Sequence, residues 1–188
     1  MKGFLQTSLI LLLLWTPLQA QETIAWSATD SLVWANFKAT PNEKMQAVAL
    51  TASGLTFGYS VKQTNNLIVS FNAEVYAHFY PDKSWVKQDR ETSYILGHEQ
   101  LHFDITELHA RMLRKELSEL RITNNLKRRV QQIHNRINMD MDKMQNLYDR
   151  ETNHSINVEA QRRWEKDVTE ALKALEAYTS PYISVGNP

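Results

Sequence analysis

Residues Gly97 to Arg111 read GHEQLHFDITELHAR, and the periodicity around this stretch decides how the chain folds. Apolar side chains at Ile95, Leu101, Ile105, Leu108, Met112 and Leu113 recur at the spacing of an amphipathic helix that starts near Tyr94 and persists to about Leu120. Asp89 or Thr92 can cap its start. On such a helix His98 and His102 lie one turn apart, about 40° from each other around the axis, so both imidazoles can reach one ion. Zinc takes imidazole nitrogens at about 2.0–2.1 Å, and two ligands on one rigid turn lose little entropy in holding it. Glu99 follows the first histidine directly, from where its carboxylate can accept the proton of a zinc-bound water. A hydrolytic centre is expected.

Downstream, Asn124-Asn125 marks a break, after which Leu126, Val130, Ile133, Ile137, Met141, Met144 and Tyr148 step by threes and fours. These positions predict a second long helix packed antiparallel on the first, in preference to a methionine-rich substrate face. Asp149 to Ser155 interrupts the period. It resumes over Ile156 to Tyr178 with Trp164, Val168, Leu172 and Leu175 on one side. The tail from Pro181 to Pro188 is expected to be loosely held.

Upstream, the period changes to two. Ala47, Ala49 and Thr51 alternate with Val48 and Leu50, Gly54 offers a turn, and Leu55, Phe57 and Tyr59 share one side. After a polar tetrad, Gln63 to Asn66, a long alternation from Leu67 to Tyr80 predicts a half-buried strand. The fold class expected is α+β: a small antiparallel sheet of about three strands packed on long antiparallel helices. The irregular segment from Gln21 to Pro41 carries Trp26, Trp34 and Phe37, which are read as pinning it to the domain.

Residues 1–20 have the pattern of a secretory signal: Lys2, then an apolar run from Phe4 to Trp15, then Leu18-Gln19-Ala20. Cleavage is expected after Ala20, leaving 21–188 as one domain with no membrane span, in the periplasm or secreted. Lys2 is the only charged side chain removed, so the remainder carries 20 basic and 21 acidic groups. That balance lacks the basic footprint of a nucleic-acid binder. With no cysteine, disulfides and thiolate ligands are excluded, and a metal site must use His, Asp or Glu.

Two histidines under-ligate zinc, because catalytic sites usually have three protein ligands. His109 lies about 10 Å beyond His102 along the axis and cannot share its ion. Asp104 and Glu107 point to other faces, and Glu107 with Arg111 reads as an exposed i, i+4 ion pair. The third ligand must come from outside the helix. His154, in the break between two helices, is the leading candidate, with Asp149 or Thr152 available to orient its ring. Glu151 and His78 are rivals, and His134 is assigned to a solvated helix face.

Several blocks together, Trp34-Ala35-Asn36-Phe37, Ser84-Trp85-Val86-Lys87, His98 to Ile105, Glu107, Ala110-Arg111, and the series Tyr148-Asp149, Thr152, His154, Gln161 and Trp164, carry a resemblance over nearly the whole mature chain. It resembles the bacterial domain-of-unknown-function family numbered nine hundred and twenty-two, described as secreted zinc-dependent proteases. The resemblance implies a zincin-like fold, Glu99 as general base, His98 and His102 as zinc ligands, and His154 as the third. Asn36 departs from an acid and Ser155 from a common glycine, and the latter stands in the loop that carries His154.

The expected function is an exported zinc-dependent hydrolase of the HExxH type, a metallopeptidase acting on peptide or protein. Tyr148 or a residue near the His154 loop would supply an oxyanion donor, and the strand from Leu67 would take an extended substrate if its edge is free. The alternative is a non-enzymatic exported module, metal-binding or helical, with a structural or vestigial zinc site. Its support is the long helical second half.

Overall fold

The computed structural model describes residues 21–186, so the segment read as an export signal lies outside the described residues. Two long strands, β3 (Ser53–Thr64) and β4 (Leu67–Phe79), form an antiparallel hairpin. Its turn is the pair Asn65–Asn66, both left-handed with φ of 49° and 63°. Two successive positive φ values give the turn a twist that matches the strands, and asparagine tolerates that region. The turn is thus shorter than the polar tetrad suggested, and Gly54 lies within β3.

Phe71, Ala73, Val75, Ala77 and Phe79 of β4 point inward and are buried, as their alternation requires. On the other edge of β4, β1 (Ile24–Ala25) pairs with His78 and Phe79, and β6 (Tyr182–Gly186) pairs with Ser70 to Glu74. The sheet therefore has four strands. Both flanks of β4 are taken, which removes the expectation that it adds a substrate strand. Within the tail read as loose, Tyr182–Gly186 form β6; Gly186, at φ +106°, has no room for a Cβ, which would lie 2.5 Å from the Val69 carbonyl oxygen. Residues near Gln46, read as a strand of this sheet, instead give β2 (Ala49–Leu50), paired with β5 (Trp85–Val86) in a separate two-stranded ribbon.

Three helices complete the described fold: α1 (Ser93–Ser118), α2 (Leu126–Thr152) and α3 (Val158–Ala174). Thr92 caps α1, accepting the Ile95 N–H, and Asp89 does not. α1 is central. Phe103, Ala110, Leu113 and Leu117 pack on the sheet, while Leu101 and Ile105 meet Tyr148 of α2 and Trp164 and Val168 of α3 in a second cluster. A helix packed on two sides accounts for its long apolar run, each such side chain contributing about 1.5–3 kcal/mol.

The irregular segment from Gln21 to Pro41 is held as its aromatics suggested. Phe37 is in the core, and Trp26 donates its indole N–H to Asp104 at 2.7 Å. Gln100 completes this seam, accepting from the Leu32 N–H and donating to Asp104. The Glu107–Arg111 pair is not exposed. Glu107, Arg111 and Arg114 are all buried, both arginines bind the Glu107 carboxylate, and Arg114 also donates to the carbonyls of Val75 and Tyr178. Arg114 fills the backbone gap on the β4 edge between β1 and β6. Among the described residues no helix is long and apolar enough to cross a membrane.

Candidate metal centre

The second turn of α1 places His98 and Glu99, each 4% exposed, and the next turn places His102. Their rings stand 4.9 Å apart. The helix α2 does not stop at Tyr148 but runs to Thr152, so Asp149 lies on its last turn and faces α1. Asp149 Oδ1 is 3.3 Å from His98 Nε2 and 3.0 Å from His102 Nε2. His98, His102 and Asp149 each offer one ligand atom within 4.8 Å of the other two. Two imidazoles and one carboxylate at that spacing fit a divalent ion of the zinc type.

His154 is the next group out. The chain leaves α2 through three consecutive left-handed residues, Asn153, His154 and Ser155, with φ of 48°, 50° and 72°. This turn sets the His154 ring at the rim, 64% exposed, with Nδ1 3.6 Å from Asp149 Oδ1. The expected third ligand therefore adjoins the compact donor group without belonging to it. Of its rivals, Glu151 accepts the Trp164 indole N–H and ties α3 to α2, while His78 bonds to Thr56 on the outward face of the sheet. His134 is not simply solvated, since its ring stacks on Phe57 at 5.0 Å.

Behind the histidines stands Tyr148, fully buried, with its ring stacked on His98 at 4.6 Å and edge-on to His102. Its hydroxyl donates to the His98 backbone carbonyl at 3.3 Å. Burial and then the Glu99 charge push the phenol far above its ordinary pKa, so the donor proton is retained. Tyr148 thus supports the site from behind and is not aimed at a substrate oxyanion.

Burial opposes the charged form of both Asp149 and His102, and in each the pairing outweighs it. Hydrogen bonds from His102 and His98 hold the Asp149 carboxyl well below the usual range. The Asp149 hydrogen bond, followed by the Glu99 charge, raises His102. Glu99 differs from both: its Oε2 is buried with no hydrogen-bond partner among the described residues. Such an atom is costly unless a ligand or water uses it.

A cleft of about 270 Å³ opens over these groups. Met45, Ala47, Val48 and Leu50 line one part of it and Met141 another, so one methionine of α2 faces the cleft. Thr51 ties this wall to the site by donating its hydroxyl to the Glu99 backbone carbonyl at 3.1 Å.

A sequence model of the family described as bacterial protein of unknown function (DUF922) matches residues 27–155. The chain belongs to this family. No curated protein and no solved structure matches it. In this DUF922 chain, the local sequence pattern singles out His98, Glu99 and His102, which the structure brings to one cleft, and offers Asp149 only as an orienting group. Gln145 was missed altogether. A signal existed: Met141, Gln145, Tyr148, Asp149 and Thr152 share one face of a helix that continues four residues further.

Proposed function

We propose that this DUF922 protein is an exported zinc-dependent hydrolase that cleaves peptide or protein substrates, with Glu99 as general base. The observation that carries the reading is the buried, unpartnered Glu99 Oε2 beside two imidazoles and a carboxylate in one cleft. His98 and His102 through Nε2 and Asp149 through Oδ1 would hold the ion, with His154 adjoining as a further donor. When bound, zinc supplies Lewis acidity, polarising a carbonyl and lowering the pKa of water.

Glu99 does the proton work. It takes a proton from water at Oε2 as the water oxygen bonds to the carbonyl carbon, then delivers it to the amine nitrogen as the C–N bond breaks. His154, exposed at the rim, would donate toward the carbonyl oxygen when it is not itself bound to the ion. The apolar wall of Met45, Val48, Leu50 and Met141 supports a substrate with a medium apolar side chain near the scissile bond. The alternative, a non-enzymatic exported module with a structural or vestigial zinc site, rested on the long helical second half. The apolar faces of those helices pack against α1 and the sheet.

The test is a peptide-library digest with zinc-loaded wild type and Glu99→Gln. Cleavage lost by at least about 100-fold in a variant that still binds zinc supports the reading, since general base work contributes about 10²–10⁴-fold. Full activity in that variant would sink it. Export is proposed with it, and sequencing the N-terminus of the mature protein checks the cut after Ala20.

A further inference from the structure

Each candidate zinc-ligating histidine has a glutamine amide on its other ring nitrogen. His102 Nδ1 is 2.5 Å from Gln145 Oε1, and His98 Nδ1 is 3.2 Å from Gln161 Oε1. The orientation of each amide is fixed by what its nitrogen meets. Gln145 Nε2 donates to the His102 backbone carbonyl at 2.8 Å, and a carbonyl only accepts. Gln161 Nε2 donates to the Glu165 carboxylate at 3.1 Å. In both cases the amide oxygen is left facing the ring, and an oxygen there requires an N–H opposite.

We infer that Gln145 and Gln161 are positioning residues that hold the Nδ1–H of His102 and His98 in place, so that Nε2, which faces Asp149 Oδ1 in the cleft, is the nitrogen each ring presents to a metal, and that α3 is thereby a working part of the metal centre. Gln161 is fully buried and belongs to α3, six residues beyond the end of the DUF922 match at Ser155. The site's second polar layer thus reaches past the matched region to Glu165, which holds the Gln161 amide. A ring whose Nδ1–H is held by an amide oxygen is both oriented and made more basic at Nε2, the usual way outer groups tune a metal ligand.

This inference rests on the zinc binding proposed above, and metal content of the wild type is read first so that the two can fail separately. Long-range ¹H–¹⁵N NMR of the zinc-loaded protein reads which nitrogen of each ring keeps its proton. Both rings are expected as Nδ1–H. Gln145→Met and Gln161→Met, with wild-type circular dichroism, are expected to weaken zinc binding about 10- to 100-fold in chelator competition. The reciprocal exchange Gln161→Glu with Glu165→Gln keeps an acceptor for the His98 N–H and a donor behind it, and most of the affinity should return. Either ring found as Nε2–H in the wild type, or folded methionine variants with wild-type zinc affinity, would overturn the inference. A wild type that binds no zinc would defeat both the zinc reading and this inference, whereas unchanged zinc affinity in the folded methionine variants defeats this inference alone.

Discussion

Asp149 Oδ1 lies 3.0 Å from His102 Nε2, although 47 residues separate the two in the chain. The contact joins the last turn of α2 to the turn of α1 that carries His98 and His102, and it makes a candidate third donor of a side chain that local sequence placed in a loop. Asp149→Asn is therefore expected to weaken zinc binding by at least about tenfold. His154→Ala should retain one equivalent of zinc with a smaller loss, because its ring is mostly exposed and outside the compact donor group. Metal content and competition titrations of both variants check this, and the reverse ranking would restore His154 as the third ligand.

Arg114→Met should destabilise the fold by about 3–5 kcal/mol, the cost of breaking a buried ion pair. The side chain is 5% exposed on average, and its loss strips a donor from Glu107 and leaves the Val75 and Tyr178 carbonyls without it. Urea unfolding measures the change. A loss below about 1 kcal/mol would mean the triad contributes as little as a surface pair.

His109 predicts a pH dependence. It is buried, its Nδ1–H donates to the Ile105 carbonyl at 2.8 Å, and burial lowers its pKa from the ordinary value near 6.5. The unfolded chain then binds the proton more readily, so this contribution to stability is present above about pH 6.5 and is lost as pH falls toward the depressed value. Melting temperatures of wild type and His109→Gln across pH 5 to 8 should diverge at the acid end, with the flatter curve in the variant.

Two backbone substitutions near the site should stabilise it. A Cβ on Gly97 would meet Gln161 Nε2 at 3.9 Å and Glu165 Oε1 at 4.0 Å, ordinary contacts, so side chains rather than another backbone pass there. Gly97→Ala should add about 0.5–1 kcal/mol by improving helix propensity. Ser155 sits at φ +72°, a region that disfavours any residue with a Cβ. Ser155→Gly should relieve up to about 1 kcal/mol of that strain. Thermal unfolding of each variant decides, and a lower melting temperature in Gly97→Ala would show that the helix is tighter at that point than these distances imply.

The parts of the fold legible in the sequence were those governed by local periodicity. Alternation from Leu67 to Tyr80 found β4, and threes and fours found the helices, because burial of one face imposes those periods on any chain. Strand partners were less legible. Ala49 and Leu50 alternate like sheet residues yet pair only with β5, and the tail beyond Pro181 gives few local signs of becoming β6. Pairing depends on which edge is open once the hairpin has formed, and that is a property of the whole sheet. Glu107 and Arg111 show the same limit: their i, i+4 spacing was read correctly, but their burial depends on Arg114, β4 and the turn after α3.

By itself, the sequence determined the relation of His98, Glu99 and His102, since helix geometry sets where residues one and four positions apart must lie. Only the tertiary structure decided what completes them: Asp149 between the two Nε2 atoms, and the Gln145 and Gln161 amides behind the rings. The physical reason is that a hydrophobic period says which face of α2 or α3 turns inward. Which polar side chain on that face meets an imidazole depends on the offset and rotation of one helix against another.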